Sequence, residues 1–205
     1  MPAIGLTTPV RKAGLQNFQL NAGIFLINFN YSTAANSEDL RTAIKAAVVA
    51  GTNILGITRG GGSFVVTSEM RTPEFDGQRY RFVNGEFVDS VDAYLSGTLL
   101  EVTPENFKHL VATGDSSTTG KITTVTVHTQ VVEDDYIDSL VWVGDLADGR
   151  YVLIDLKNAL NTSGLNMTFT DKGEGTIPFE FHAHQDEVDD YDNAPFTIKF
   201  IDNPN

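Results

Sequence analysis

Thr176-Ile177-Pro178-Phe179-Glu180-Phe181-His182-Ala183-His184 is the stretch from which the fold class follows. In an extended chain successive side chains point to opposite faces, so Ile177, Phe179 and Phe181 share an apolar face and Glu180 and His182 share a polar one. The same alternation recurs in Leu165/Met167/Phe169 and in Phe196/Ile198/Phe200. Strands of this kind set one face against a common core and leave the other in water.

Outward from this stretch, further strands are expected at Phe18–Asn30, Asn53–Ile57, Ser63–Met70, Glu86–Val102, Lys121–Val131, Ser139–Gly144 and Tyr151–Lys157. Those carrying the opening pattern span Leu165–Thr170, Thr176–His184 and Pro195–Ile201. Asn84-Gly85 and Asp148-Gly149 are hairpin turn signals. Two segments break the pattern. Ser37–Ala50 carries Leu40, Ala43, Ile44, Ala47 and Val48 at helical spacing, with Ser37 as N-cap, Glu38 and Asp39 in the first turn and Gly51 as the stop. Thr103-Pro104-Glu105 announces a shorter helix bearing Phe107, Leu110 and Val111, closed by Gly114. The fold class expected is mainly β, an antiparallel β-sandwich or barrel with one flanking α-helix and a second short helix.

A chain of 205 residues is the size of one domain and buries a substantial core without disulfides, which the absence of cysteine excludes in any case. Thiolate zinc sites and cysteine nucleophiles are excluded with them. The organisation expected is an extended N-terminal arm over residues 1–17, marked by Pro2, Gly5, Pro9 and Gly14, followed by a single domain over 18–205. Met1–Gln19 has no signal-type apolar run, and no segment has the roughly 18 apolar residues of a membrane span. No membrane partner is expected. The formal charge is −13, and between Asp171 and Asn205 nine acids stand against two bases. Such a surface repels phosphate backbones, so specific nucleic-acid binding is not expected.

Three strings invite a chemical reading. His182-Ala183-His184-Gln185-Asp186 places two imidazoles and a carboxylate close together and is similar to the first half of the metallo-β-lactamase zinc motif. The downstream ligands of that motif are missing, because His109 and His128 lie upstream. A hydrolase built on these residues is therefore set below a structural role in which His182 and His184 both sit on the polar face of the strand whose other face carries Phe179 and Phe181. Arg59-Gly60-Gly61-Gly62-Ser63 has the glycines of a phosphate loop but no Lys-Ser/Thr, and it leads into the β-like Phe64-Val65-Val66-Thr67. A bulge or a close backbone approach accounts for it better. The run Asp186–Asn193 has oxygen ligands for calcium but lacks the glycine and final glutamate of an EF-hand loop. No catalytic, cofactor-binding or metal-ligating residue is assigned, and no cofactor is expected. The polar stretch Arg71–Gln78 carries Phe75, an aromatic suited either to its own domain or to a neighbour.

Taken together, several phrases resemble one family: Leu20-Asn21-Ala22-Gly23-Ile24-Phe25, the early helix, Thr58-Arg59-Gly60-Gly61-Gly62-Ser63-Phe64, Phe87-Val88-Asp89, Gly97-Thr98-Leu99-Leu100-Glu101, Thr103-Pro104-Glu105-Asn106, Ile177–His184 and Ala194-Pro195-Phe196. The family is the major tail tube proteins of long-tailed, non-contractile phages of Gram-positive hosts. The resemblance implies a non-enzymatic virion protein, assembled in the host cytoplasm, whose homohexameric rings stack into a tail tube. Its implied partners are copies of itself, the tape measure, tail terminator and distal tail proteins, and DNA that passes through during ejection without specific binding. It also implies contacts between rings through the arm Met1–Asn17 and the loop Arg71–Gly77. The alternative is a monomeric carbohydrate- or ligand-binding β-sandwich module, with exposed aromatics and calcium at Asp186–Asp192.

Overall fold

The computed structural model describes residues 18–31, 34, 36–186 and 193–202. The arm over 1–17 lies outside the described residues, as does the acidic segment 187–192. The described strands are β1 (Ile24–Ile27), β2 (Thr58–Arg71), β3 (Phe87–Leu99), β4 (Gly114–Thr119), β5 (Ile122–Val127), β6 (Ile137–Asp145), β7 (Tyr151–Asn161), β8 (Ile177–His182) and β9 (Phe196–Ile201). The helices are α1 (Ser37–Ala50) and α2 (Pro104–Leu110).

Every strand pairing is antiparallel, and β7 organises the whole. Along Tyr151–Leu156 it lies between β6 and β9, and at its far end Leu160 and Asn161 pair with β8, which continues through β3 to β2. The protein is thus mainly β, an antiparallel sandwich whose halves are β1-β6-β7-β9 and β8-β3-β2, with one long helix and one short one.

Between the halves, Phe25 and Ile27 of β1, Leu140 of β6 and Leu156 of β7 meet Leu95 and Leu99 of β3 and Phe179 and Phe181 of β8. The Phe25 and Phe179 rings meet edge to face at 5.2 Å and 89°, an arrangement worth about 0.5–1.5 kcal/mol beyond the area it buries. The first half is covered on its other face too, where Leu26, Val141, Val143, Leu153 and Ile201 pack on Leu40 and Ile44 of α1. Burial on both faces explains why Leu140-Val141-Trp142-Val143 does not alternate.

Asn36, not Ser37, is the N-cap of α1: its side chain accepts a hydrogen bond from the Asp39 N–H at 3.0 Å. Gly51 ends the helix in the left-handed conformation, at φ 65°, where its N–H reaches the Ala47 and Val48 carbonyls. Val48, expected on the buried face, is exposed because the apolar stripe in contact narrows to Leu40, Ala43, Ile44 and Ala47. Thr103 caps α2 as expected, accepting from the Asn106 N–H at 3.1 Å. That helix ends before Gly114, which opens β4 instead, where a β-carbon would fall 2.5 Å from the Lys108 carbonyl oxygen.

Other boundaries differ as well. The expected strand Phe18–Asn30 contracts to β1 with a single bridge from Gln19 to Leu146, and Asn53–Ile57 and Leu165–Thr170 each contribute one bridge. Lys121–Val131 is the second arm of a hairpin whose first arm, Asp115-Ser116-Ser117-Thr118-Thr119, has no apolar period to announce it. Asp148-Gly149 makes the tight β6–β7 turn, with Gly149 at φ 83°. Asn84-Gly85 instead lies within the loop 72–86, since pairing of β2 with β3 ends at Arg71 opposite Phe87. The Arg59–Gly62 stretch is an irregularity of β2, with a register shift between Thr58 and Gly62. A β-carbon at Gly62 would stand 2.5 Å from the Ser96 carbonyl oxygen and 2.9 Å from the Phe25 ring, so close backbone approach requires glycine there.

Candidate functional site

The sandwich is open on one side. β2 pairs only with β3 and β9 only with β7, so among the described residues neither has a strand on its outer edge. The outer side of β1 differs, because Asn53 and Leu55 exchange backbone hydrogen bonds with Ile27 and Phe25 at 2.7 and 2.9 Å. Where β2 and β9 approach, the Phe64 and Phe196 rings meet at 5.7 Å. Next to this contact lies a cavity of about 280 Å³ lined by Phe25, Phe64, Leu95, Trp142, Val152 and Ile154, with Gln19 at its wall.

Trp142 is fitted by removal of side chains around it. A β-carbon at Gly144 would lie 2.2 Å from its ring, and one at Gly23 would lie 2.5 Å from Nε1, which donates to the Ala22 carbonyl at 3.0 Å. On β9, Ile198 and Phe200 stand opposite Ile154 and Val152. Their alternation with Phe196 predicts burial in the shared core, yet Ile198 is 45% and Phe200 67% exposed. Among the described residues β9 is the last strand of its half, and the aromatic contact it makes with β2 is Phe196 on Phe64, at the end of the row away from Phe200. Phe169 is exposed as well, on a segment with the single Thr168–Thr176 bridge.

A second feature projects from the sandwich. Pairing of β3 with β8 stops at Tyr94 opposite His182, while β2 and β3 continue together to Arg71 and Phe87. The resulting two-stranded ribbon ends in the loop 72–86. Met70, Phe75, Tyr80, Phe82, Val83 and Phe87 are all more than half exposed on it, Tyr80 at 83% and Val83 at 92%. Arg71 stiffens its end, donating from Nε to both Asp89 carboxylate oxygens at 3.2 Å with its guanidinium 5.7 Å from the Phe87 ring centre. Isolated hairpins are marginal in water, so such a ribbon gains from a partner surface.

No protein-family model matches this chain, and no curated protein does either. Among the described residues no helix is long and apolar enough to cross a membrane.

The residues singled out for metal chemistry part company. His182 sits on the polar face of β8, as its alternation requires, with Nδ1 2.8 Å from Asp92 and Nε2 3.1 Å from Glu180. His184 turns to another side, where its Nδ1 lies 3.1 Å from the Asn158 carbonyl and its ring meets Tyr136 edge to face at 5.2 Å. Among the described residues no group of three His, Asp or Glu side chains is arranged to hold a metal ion. Asp186 lines a cavity with Glu133, Asp138 and His184, but the rest of the suggested calcium run, up to 192, lies outside the described residues. The Arg59–Ser63 string lies within β2, and Arg59 pairs with Glu174 at 2.8 Å.

Two buried carboxylates also have structural partners. Asp155 accepts from the Tyr31 hydroxyl at 2.5 Å and the Ser139 hydroxyl at 2.7 Å, and burial, reinforced by Asp155, pushes the Tyr31 phenol far up. Asp135 accepts from the Val132 N–H at 2.8 Å and faces His128 Nε2 at 3.1 Å. The features that sequence reasoning misses are the apolar opening and the length of the ribbon. Trp142 bracketed by Gly144 and, across the strand pair, Gly23 is the available signal for the opening, but strand pairing must be known to use it.

Proposed function

We propose that this chain is a structural subunit, not an enzyme, that assembles into stacked six-fold rings forming the hollow tail tube of a long-tailed phage. The observation that carries this reading is the pair of unpartnered edges, β2 and β9, on either side of an apolar opening among the described residues. A strand edge is a template for another chain, and head-to-tail contacts between different surfaces of identical subunits close into rings when the rotation permits. Ile198 and Phe200, exposed beside the free edge of β9, supply apolar area for that contact. Six-fold order, stacking and the passage of DNA come from the sequence resemblance.

In this reading the ribbon and its loop, including Arg71–Gly77, reach the adjoining ring, and the net charge of −13 keeps DNA from adhering to the channel. The arm Met1–Asn17 would join the inter-ring contacts. Electron microscopy of concentrated purified protein, with light scattering for mass, tests the reading: hollow six-fold rings or tubes support it. A monomer at all concentrations that also fails to extend preformed tail tubes overturns it.

The apolar cavity favours a second reading, a monomeric ligand-binding sandwich with Phe64 and Trp142 as contact residues. That reading predicts a ligand-dependent rise in melting temperature without assembly.

A further inference from the structure

The ribbon leaves the sandwich at a point marked by a cluster of ionisable groups. β8 covers β3 only as far as Tyr94 opposite His182, followed by one hydrogen bond from the Ala183 N–H to the Ala93 carbonyl at 2.9 Å. From Asp92 to Phe87, β3 pairs with β2 alone. Asp92, the first residue past the root, lies 2.8 Å from His182 Nδ1, and Glu180 of β8 lies 3.1 Å from Nε2. Tyr94 stacks on the imidazole, with ring centres 4.9 Å apart and planes 28° apart.

A neutral imidazole has one N–H and one lone pair, so it can donate to only one of these carboxylates and must turn its lone pair towards the other. The imidazolium donates to both. We propose that His182 is a protonation-dependent pin at the root of the ribbon, which when charged ties Asp92 of β3 to Glu180 of β8 and when neutral releases one of them.

Among the described residues, Asp92 and Tyr94 of β3 and Glu180 of β8 are the titratable groups facing the ring. β7 presents Leu160 opposite His182, and the His184 ring is turned to the Asn158 carbonyl. Burial by itself lowers the His182 pKa, but hydrogen bonds and charge from Asp92 and Glu180 outweigh it and the net shift is upward. A pKa raised on folding stabilises the clamped state fully below the ordinary histidine value of about 6.5, and the gain is lost as pH rises through the folded value. The ribbon is therefore tied to β8 through both carboxylates at mildly acidic pH, and that tie weakens on the alkaline side, where the neutral ring donates to only one of them. Its consequence for assembly rests on the tail tube reading; the pin does not.

Hydrogen exchange at the imidazole C2 position, read by mass spectrometry on the full chain, gives the His182 pKa in free subunits and in assemblies alike. Amide exchange over residues 87–92, corrected for the intrinsic pH dependence, reads the ribbon. A His182 pKa above 6.5 that falls in Asp92→Asn is expected. With it, protection of 87–92 drops on the alkaline side, by up to about tenfold for each pH unit by which the pKa stands above its ordinary value. His182→Gln should fold and lose this pH response. A His182 that titrates at or below the ordinary value, or ribbon protection independent of pH in the unmodified chain, overturns the pin whether or not tubes form.

Discussion

β8 and β9 have nearly the same pattern and opposite fates. Ile177, Phe179 and Phe181 alternate along one strand and are all buried, whereas Phe196, Ile198 and Phe200 alternate along the other and emerge progressively into solvent. Both rows point to the interior side of their sheet. β8 lies beneath the opposing β1 and β6, while among the described residues β9 is the last strand of its half, with Phe196 against Phe64 and Ile198 and Phe200 exposed. Alternation thus assigns a side; burial needs a second layer on that side.

Truncating one residue from each row puts this difference at risk. Phe181→Ala should cost about 3–5 kcal/mol in chemical denaturation, the range for truncating a fully buried aromatic side chain. Phe200→Ser should change the stability of the isolated subunit by no more than about 0.5 kcal/mol, as surface substitutions do. In the tail tube reading, it should also reduce tube yield in sedimentation. Equal losses of stability from both would mean that β9 is covered in the free subunit.

The next effect tests covered against open positions on the strands that close the core. Gly62→Ala places a β-carbon against the Ser96 carbonyl and the Phe25 ring, an overpacking expected to cost about 1–3 kcal/mol. The open-lying Gly60, at φ 77° with no neighbour within 4 Å, would suffer only backbone strain on substitution. Thermal melts of the two alanine variants should rank Gly62→Ala as the less stable. Weaker again, Asn36→Ala should cost about 1 kcal/mol by removing the N-cap, with Ser37→Ala within about 0.5 kcal/mol. The reverse order would restore Ser37 as the cap.

The smallest expected effect concerns two histidines of opposite sign. His109 on α2 is held below its ordinary pKa, chiefly by burial and secondarily by Lys108. Stability from His109 is therefore complete above about pH 6.5 and declines as pH falls towards the folded value. His182 contributes in the other direction. Melting curves from about pH 5.5 to about pH 8.5, a span that brackets the ordinary histidine value, should show less loss on the acid side in His109→Phe and less loss on the alkaline side in His182→Gln. Parallel profiles for both variants would remove the contrast.

Much of the fold is legible because local rules and tertiary environment agree. Leu40 and Ile44 at helical spacing, Gly51 at the stop, Thr103-Pro104 at the α2 start and Asp148-Gly149 at a hairpin all occupy the places that propensity gives them. The polar strand β4 is hidden, since a run of serine and threonine suits a loop as well as an exposed strand. Ser116, Ser117 and Thr118 form a ladder only because β5 pairs with them. The polar position of His182 is readable from period two, but its link to Asp92 is not, because that carboxylate is brought there from 90 residues away.

Side-chain order along the chain is enough to set the class of this protein: antiparallel strands with one polar face, two capped helices, no cysteine chemistry and a strongly acidic surface. These follow from side-chain period, backbone preference and charge, which act over a few residues at a time. Tertiary structure settles which apolar rows are covered, which strand edges stay open and how far the ribbon extends. Those depend on which strands become neighbours, and neighbours are fixed by packing of the whole chain.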